Sequence, residues 1–111
     1  MMWTKVLESV DDTARETLER NSSVLKEMTQ IELENMFKLI KDGREHDLGP
    51  FMQVQMLMAL PDREFLELKR KTGESLKKLA DFEAKRKALV KDLTSGISKV
   101  LAKEILLLFL V

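Results

Sequence analysis

The chain contains 111 residues, of which 44% are apolar and 34% are charged, with only two prolines and four glycines. This length suits a single domain, and the composition excludes a disordered tail and a turn-rich β sandwich. Cysteine is absent, which excludes disulfide scaffolds, thiol nucleophiles and thiolate metal sites, and the 19 basic residues balance the 19 acidic ones. We therefore predict one all-α domain over residues 1–111, a bundle of four to six helices.

The first segment places apolar residues at alternating steps of four and three, the spacing of a helix that packs along a seam. This spacing predicts one long helix over residues 4–28. Thr17 and Asn21 are the two seam positions that are not apolar. Because Asn21, Ser22 and Ser23 favour helix caps, a break at these three residues is the alternative.

The next helix begins at a capping box. Thr29 and Glu32 have the spacing at which each side chain accepts a hydrogen bond from the backbone of the other. This helix should end at Gly43, since glycine readily adopts the left-handed conformation that ends helices. Residues 43–50 are polar and rich in helix breakers, so we predict a loop there. The single histidine, His46, lies in this loop and cannot build a metal site alone.

Residues 51–60 lie between two prolines, and part of the segment alternates as a strand would. A lone strand would have no partner, and methionine and leucine favour helices, so the segment is predicted to be a short buried helix. Met52, Met56 and Met58 would line an adaptable groove for a partner helix, because methionine repacks easily. Packing in the core is the alternative for these three residues.

The second half of the chain is predicted to be helical with short connections. A helix over residues 61–72 comes first, followed by an amphipathic helix over residues 74–93. The latter and the helix over residues 4–28 would form two long antiparallel helices. Residues 94–96 would connect to a last helix that begins at Ile97.

The C-terminal segment is apolar on every side from Leu106 onward, which a helix on the surface of a monomer cannot be. Seven apolar residues fall far short of the roughly 20 that span a membrane. A chain that ends inside such a run can also be a fragment of a longer one. We predict an interface with another chain, and burial inside its own bundle is the alternative. The predicted interface residues are Ile105, Leu106, Leu107, Leu108, Phe109, Leu110 and Val111.

Three basic clusters lie in the second half of the chain, at Lys69, Arg70 and Lys71, at Lys77 and Lys78, and at Lys85, Arg86 and Lys87. They would contact phosphates if they faced outward together. Acidic residues lie among them and no stacking aromatic accompanies them, so any binding of nucleic acid should be weak and salt-sensitive.

Arg86 interrupts the apolar seam of its helix. We predict that it either projects from the seam or pairs with Glu83 or Asp12, because an unpaired buried guanidinium is costly.

Two pairs of glutamates have the spacing Glu-x-x-Glu, at Glu16 and Glu19 and at Glu64 and Glu67. This spacing resembles the motifs of all-α nucleotide pyrophosphohydrolases, a resemblance that implies Mg²⁺ and a nucleoside triphosphate. The pairs would then lie within about 5 Å of each other across a cleft. Ordinary ion pairs one helical turn apart are the alternative.

A second resemblance covers residues 14–80. The order of a charged helix, a Met-Thr-x-x-Glu-Leu-Glu restart at residues 28–34, a loop, and Pro-Asp-Arg-Glu-Phe at residues 61–65 loosely resembles the helical domain of archaeal GINS replication subunits. The C-terminal third has nothing of that family's small β domain. This resemblance implies a helical subunit of a nucleic-acid-handling complex.

The sequence as a whole favours a non-enzymatic helical interaction or assembly module, either a homo-oligomer or a subunit of a larger complex. We expect a protein partner, no cofactor and no metal. The N-terminus has no secretory signal, so the expected location is the cytoplasm.

Overall fold

The computed structural model describes residues 2–69 and 73–110, and it confirms the all-α fold class. These residues form eight helices rather than four to six, and none of them forms a strand. The helices are α1 (Met2–Ser9), α2 (Asp12–Arg20), α3 (Ser22–Leu25), α4 (Gln30–Lys41), α5 (Glu45–Ala59), α6 (Asp62–Lys69), α7 (Gly73–Gly96) and α8 (Lys99–Leu108).

The long first helix predicted over residues 4–28 is wrong, because the chain divides there into α1, α2 and α3. Asp11 begins α2 as an N-cap, and its carboxylate accepts a hydrogen bond from the Ala14 amide at 2.8 Å. Arg15 donates from its guanidinium to the carbonyl oxygens of Leu7 and Val10, which satisfies backbone acceptors where α1 ends. The described residues therefore do not form the predicted pair of long antiparallel helices, and among the described helices α7, with 24 residues, is the longest.

The second break lies at Asn21, where the sequence offered the alternative. The Asn21 side chain donates to the Thr17 carbonyl oxygen at 2.7 Å and ends α2. The chain turns at this residue and continues as the short helix α3.

The capping box at the start of α4 is confirmed. The Glu32 amide donates to Thr29 Oγ1 at 3.2 Å, and the Thr29 amide donates to Glu32 Oε1 at 2.8 Å. The predicted end is also confirmed, because Asp42 caps α4 and Gly43 adopts a positive φ of 68°.

The loop predicted over residues 43–50 is wrong, since α5 begins at Glu45. Glu45 and Asp47 lie in its first turn, where negative charge favours a helix. Pro50 lies in the second turn, where it removes one backbone hydrogen bond. The helix predicted over residues 51–60 is found as the C-terminal part of α5.

The connection predicted over residues 94–96 is also wrong, because these three residues belong to α7, which ends at Gly96. Thr94 Oγ1 donates to the Val90 carbonyl oxygen at 2.9 Å, so its hydroxyl is satisfied within the helix. The turn comes later, and Ser98 caps α8 by accepting from the Leu101 amide at 3.1 Å.

The core lies where α4 packs against α8 and α5, and where α7 packs against α5 and α2. The rings of Phe37 and Phe109 meet there, with their centroids 6.2 Å apart. The largest fully buried side chains are Phe37, Leu18, Leu25, Met36, Leu48, Met52, Leu93, Ile97, Ile105, Val6 and Thr17. No helix in the described ranges is long and apolar enough to cross a membrane.

Helices α2 and α7 cross closely at Gly96. A Cβ atom on Gly96 would overlap Thr17 Oγ1 and would lie only 2.7 Å from Thr17 Cβ. Thr17 is fully buried at this crossing, and its hydroxyl donates to the Thr13 carbonyl oxygen at 2.9 Å. Thr17, a polar residue on the apolar seam, therefore lies where α2 and α7 cross so closely that only glycine fits at position 96.

Candidate functional site

Helix α8 presents apolar side chains on two opposite faces. On one side Ala102, Ile105 and Phe109 are buried in the core. On the other side Val100 and Leu107 are 68% and 55% exposed. A single helix on a water-facing surface ordinarily buries one stripe and exposes a polar one, so the second apolar face has no partner within the described chain.

Four residues define this outer face of α8. Val100 and Leu107 are seven residues apart, so they lie on the same side of the helix, two turns from each other. Lys103 and Glu104 lie between them, one on either side of the line that joins them. Both charged side chains are exposed, and neither forms an ion pair with another residue in the described ranges.

The predicted interface segment divides between core and surface. Ile105 and Phe109 lie in the core, while Leu107 and Leu110 are exposed, Leu110 at 80%. The neighbouring Leu106 and Leu108 are half-buried, and Val111 lies outside the described residues. The alternative interpretation, burial within the chain's own bundle, therefore holds for Ile105 and Phe109.

Sequence reasoning missed Val100, the N-terminal end of the outer face. The signal that would have found it is its distance of seven residues from Leu107.

The three methionines of α5 do not line one groove. Met52 is fully buried in the core, and Met58 is 69% exposed on a different side of the helix. Met56 is buried and lines a cleft of about 460 Å³ between α3, α5, α6 and α7. The floor of this cleft is apolar, with Val24 and Phe82 facing Met56, and its rim is charged. The rim residues are Glu64, Lys78, Asp81 and Lys85.

The basic clusters are divided between two sides of α7. Lys78 and Lys85 border the cleft between α3, α5, α6 and α7, whereas Arg86 and Lys87 border a separate hollow that also contains Glu45. Lys77 is exposed as well. Of the first cluster, Arg70 and Lys71 lie outside the described residues, and the Lys69 side chain is likewise not described. The described basic residues therefore do not form one continuous phosphate-binding face.

Arg86 is half-buried and does not form the predicted ion pair with Glu83 or Asp12 in the described part of the chain. Its Nε atom is buried and makes no hydrogen bond to any described residue. Its Nη1 atom lies beside Gly49 of α5, only 3.3 Å from where a Cβ would stand on that glycine. The guanidinium therefore packs against the backbone of α5.

The acidic pairs lie exposed on separate helices, with Glu16 and Glu19 on α2 and Glu64 on α6. The Glu67 side chain lies outside the described part. Within that part, no three histidine or acidic side chains come together closely enough to hold a metal ion.

A polar cluster joins α2 to α7 beside the Gly96 crossing. Arg20 donates to both carboxylate oxygens of Asp92, at 2.8 and 3.2 Å, and the Asn21 amide donates to Asp92 at 2.9 Å. The hydrogen bond from Arg20 lowers the pKa of Asp92 and raises the pKa of Arg20. Both side chains are partly exposed, so this cluster orients two helices and has no buried reactive group.

A second polar contact joins α4 to α5. Backbone bonding from Thr29 and a side-chain hydrogen bond from Gln55 lower the pKa of the Glu32 carboxyl. Gln55 is one of two buried polar residues among those described, and it lies beside the Glu32 carboxyl. Both polar contacts are explained by helix packing.

Comparison with known proteins finds no match, since no family model, no curated protein and no solved structure is similar to this chain.

Proposed function

We propose that this chain is a non-enzymatic helical assembly module whose protein partner covers the outer face of α8. The observation that supports the proposal is the exposure of Val100 and Leu107 on the face opposite the buried side of the same helix. Leu110 extends this apolar surface beyond the last helical turn. The absence of cysteine is consistent with work in the reducing cytoplasm.

The free energy gained by covering these apolar side chains is sufficient for a specific association of modest strength. Fully burying a large apolar side chain contributes about 1.5 to 3 kcal/mol, and covering the three that are more than half exposed contributes a few kcal/mol. Much of this gain is offset by the entropy lost on association. The module should therefore bind reversibly and depend strongly on protein concentration.

Sedimentation equilibrium with one substitution and a matched control tests this proposal. Leu107→Ser removes an apolar side chain from the outer face of α8, and Ile31→Ser removes one that is 69% exposed on α4. We expect the wild-type mass to rise above that of the monomer with concentration. Leu107→Ser should reverse this rise, and Ile31→Ser should leave it unchanged.

Two results would overturn the proposal. One is a wild-type chain that stays monomeric at several hundred micromolar, and the other is an equal effect of the two substitutions. Truncation of residues 105–111 is a less suitable test, because it also removes Ile105 and Phe109 from the core. Loss of folding would then hide any effect on assembly.

Two other functions have less support. A nucleic-acid-binding subunit would need the basic residues on one face, and a pyrophosphohydrolase would need the two acidic pairs to meet. The described basic residues of α7 border two different hollows. The described glutamates of the two pairs are exposed, and the two pairs lie on separate helices.

A further inference from the structure

We infer that the partner on the outer face of α8 is a second copy of this chain, with the two α8 helices side by side and parallel. The inference rests on the proposed function, whose test is self-association, and it adds the parallel orientation of the two helices. A two-fold axis along the helix pair would then place Val100 against Val100 and Leu107 against Leu107.

The exposed apolar residues of α8 have the spacing of a packed helix pair. Val100 and Leu107 are separated by seven residues, the repeat with which helices pack along one another in a coiled coil. The two side chains hold the same position in successive heptads, with Lys103 and Glu104 at the level between them, and a second α8 in parallel register presents the same order of levels. A second copy therefore matches this face without any other sequence.

Two side chains of opposite charge flank the apolar line of α8. Lys103 lies on one flank of the apolar line and Glu104 lies on the other. In a parallel two-fold pair, opposite flanks face each other, so Lys103 meets Glu104 of the partner subunit and the second ion pair follows by symmetry. In an antiparallel pair, like flanks face each other, so Lys103 would meet lysine and Glu104 would meet glutamate. The charges therefore select the parallel arrangement.

Both charges are available for this pairing. Lys103 and Glu104 are exposed, and neither has an ion pair elsewhere in the described ranges. The apolar side chains next to them would gain from being covered, since Val100, Leu107 and Leu110 are each more than half exposed. A face that combines unpaired charges of opposite sign with unpartnered apolar groups is self-complementary about a two-fold axis.

The contact is small because α8 has only ten residues. Interfaces below about 1,200 Å² of total buried area belong to weak and transient complexes. We therefore expect a dimer that dissociates on dilution from the millimolar to the micromolar range.

Charge reversal tests the orientation. Lys103→Glu and Glu104→Lys each turn two attractive pairs into two repulsive ones, and each should weaken dimerisation by roughly tenfold. The double variant exchanges the two charges and should restore the wild-type dissociation constant to within about twofold. An equimolar mixture of the two single variants should form heterodimers. Lys87→Glu, an exposed reversal on α7, should leave dimerisation unchanged.

The readout is the dissociation constant from sedimentation equilibrium, with circular dichroism to show that each variant is folded. If the wild type dimerises and Leu107→Ser abolishes it, but the single reversals leave the constant unchanged, the parallel arrangement is wrong and the proposed function stands. If the wild type remains a monomer, both the inference and the proposed function fail.

Discussion

Gly96 should be the glycine whose replacement by alanine most clearly separates helix propensity from packing. Its backbone is helical, and in that conformation alanine is ordinarily favoured over glycine by roughly 0.5 to 1 kcal/mol. Propensity alone therefore predicts that Gly96→Ala stabilises the protein. The contacts predict the opposite sign.

The added methyl group would overlap a buried side chain. The three atoms nearest to the new Cβ all belong to Thr17: Oγ1, which it would overlap, Cβ at 2.7 Å and Cγ2 at 2.8 Å. Because Cβ is fixed to the α2 backbone, rotation of Thr17 cannot relieve every contact, and α2 must move away from α7. Overpacking of this kind costs about 1 to 3 kcal/mol, which exceeds the gain in propensity. Movement of α2 would also lengthen the hydrogen bond between Arg20 and Asp92, which lies about one helical turn from the crossing.

Urea unfolding followed by circular dichroism measures the effect, at a protein concentration low enough to keep the chain monomeric. We expect Gly96→Ala to lose about 1 to 3 kcal/mol, which corresponds to several degrees in Tm for a chain of this size. Thr17→Ala removes two of the three overlapping atoms, so Gly96→Ala should cost less in that background. If Gly96→Ala is neutral or stabilising, the close crossing of α2 and α7 is wrong.

Two further predictions concern polar side chains of α7, and a third concerns the binding of nucleic acid. The lowered pKa of Asp92 means that its pairing with Arg20 stabilises the fold above about pH 4, the ordinary pKa of aspartate, and that this contribution is lost as pH falls through the lowered pKa. Asp92→Asn should therefore flatten the dependence of unfolding free energy on pH below 4, and an unchanged slope would refute the role of the pair. Arg86→Leu should be neutral or stabilising in urea, since the Nε of Arg86 is buried without a partner, and a loss above about 2 kcal/mol would reveal an essential interaction of the guanidinium. Binding of duplex DNA or RNA should be weak at 0.05 M salt and vanish near 0.2 M, because the chain has no net charge, and tight sequence-selective binding near 0.15 M salt would favour the nucleic-acid function.

The parts of the fold that the sequence predicts are those specified by local chemistry. The capping box of Thr29 and Glu32 needs only two side chains and the backbone between them, so its consequence is visible in the order of residues. Gly43 likewise ends α4 through its own conformational freedom. Such signals act within one turn of helix and do not depend on what packs nearby.

The start of α5 could not be predicted because tertiary packing overrides local preference there. Gly49 and Pro50 disfavour a helix, yet the preceding Leu48 is fully buried in the core. Gly49 leaves room for the Arg86 guanidinium to lie against α5. Helix α5 packs against α4 and α7, and a local sequence pattern does not show these contacts.

Contacts between residues distant in sequence also explain Thr17 and Asn21 in the first segment. The sequence shows two polar residues on an apolar seam but does not show why they are there. Gly96 approaches Thr17, and Asp92 accepts a hydrogen bond from Asn21.

The candidate site on α8 could be predicted in part. The apolar excess of α8 is visible in the sequence, but which of its faces is core is decided by packing against α4 and α1.

A single introduced thiol gives a direct test of self-association through the outer face of α8. The chain has no cysteine, so Leu107→Cys reports on one position, and Ile31→Cys on α4 is a control of comparable exposure. We predict that, in oxidising buffer, Leu107→Cys forms a disulfide-linked dimer roughly tenfold or more faster than Ile31→Cys, because pairing of α8 raises the local concentration of its thiol. Equal rates for the two variants would contradict the claim.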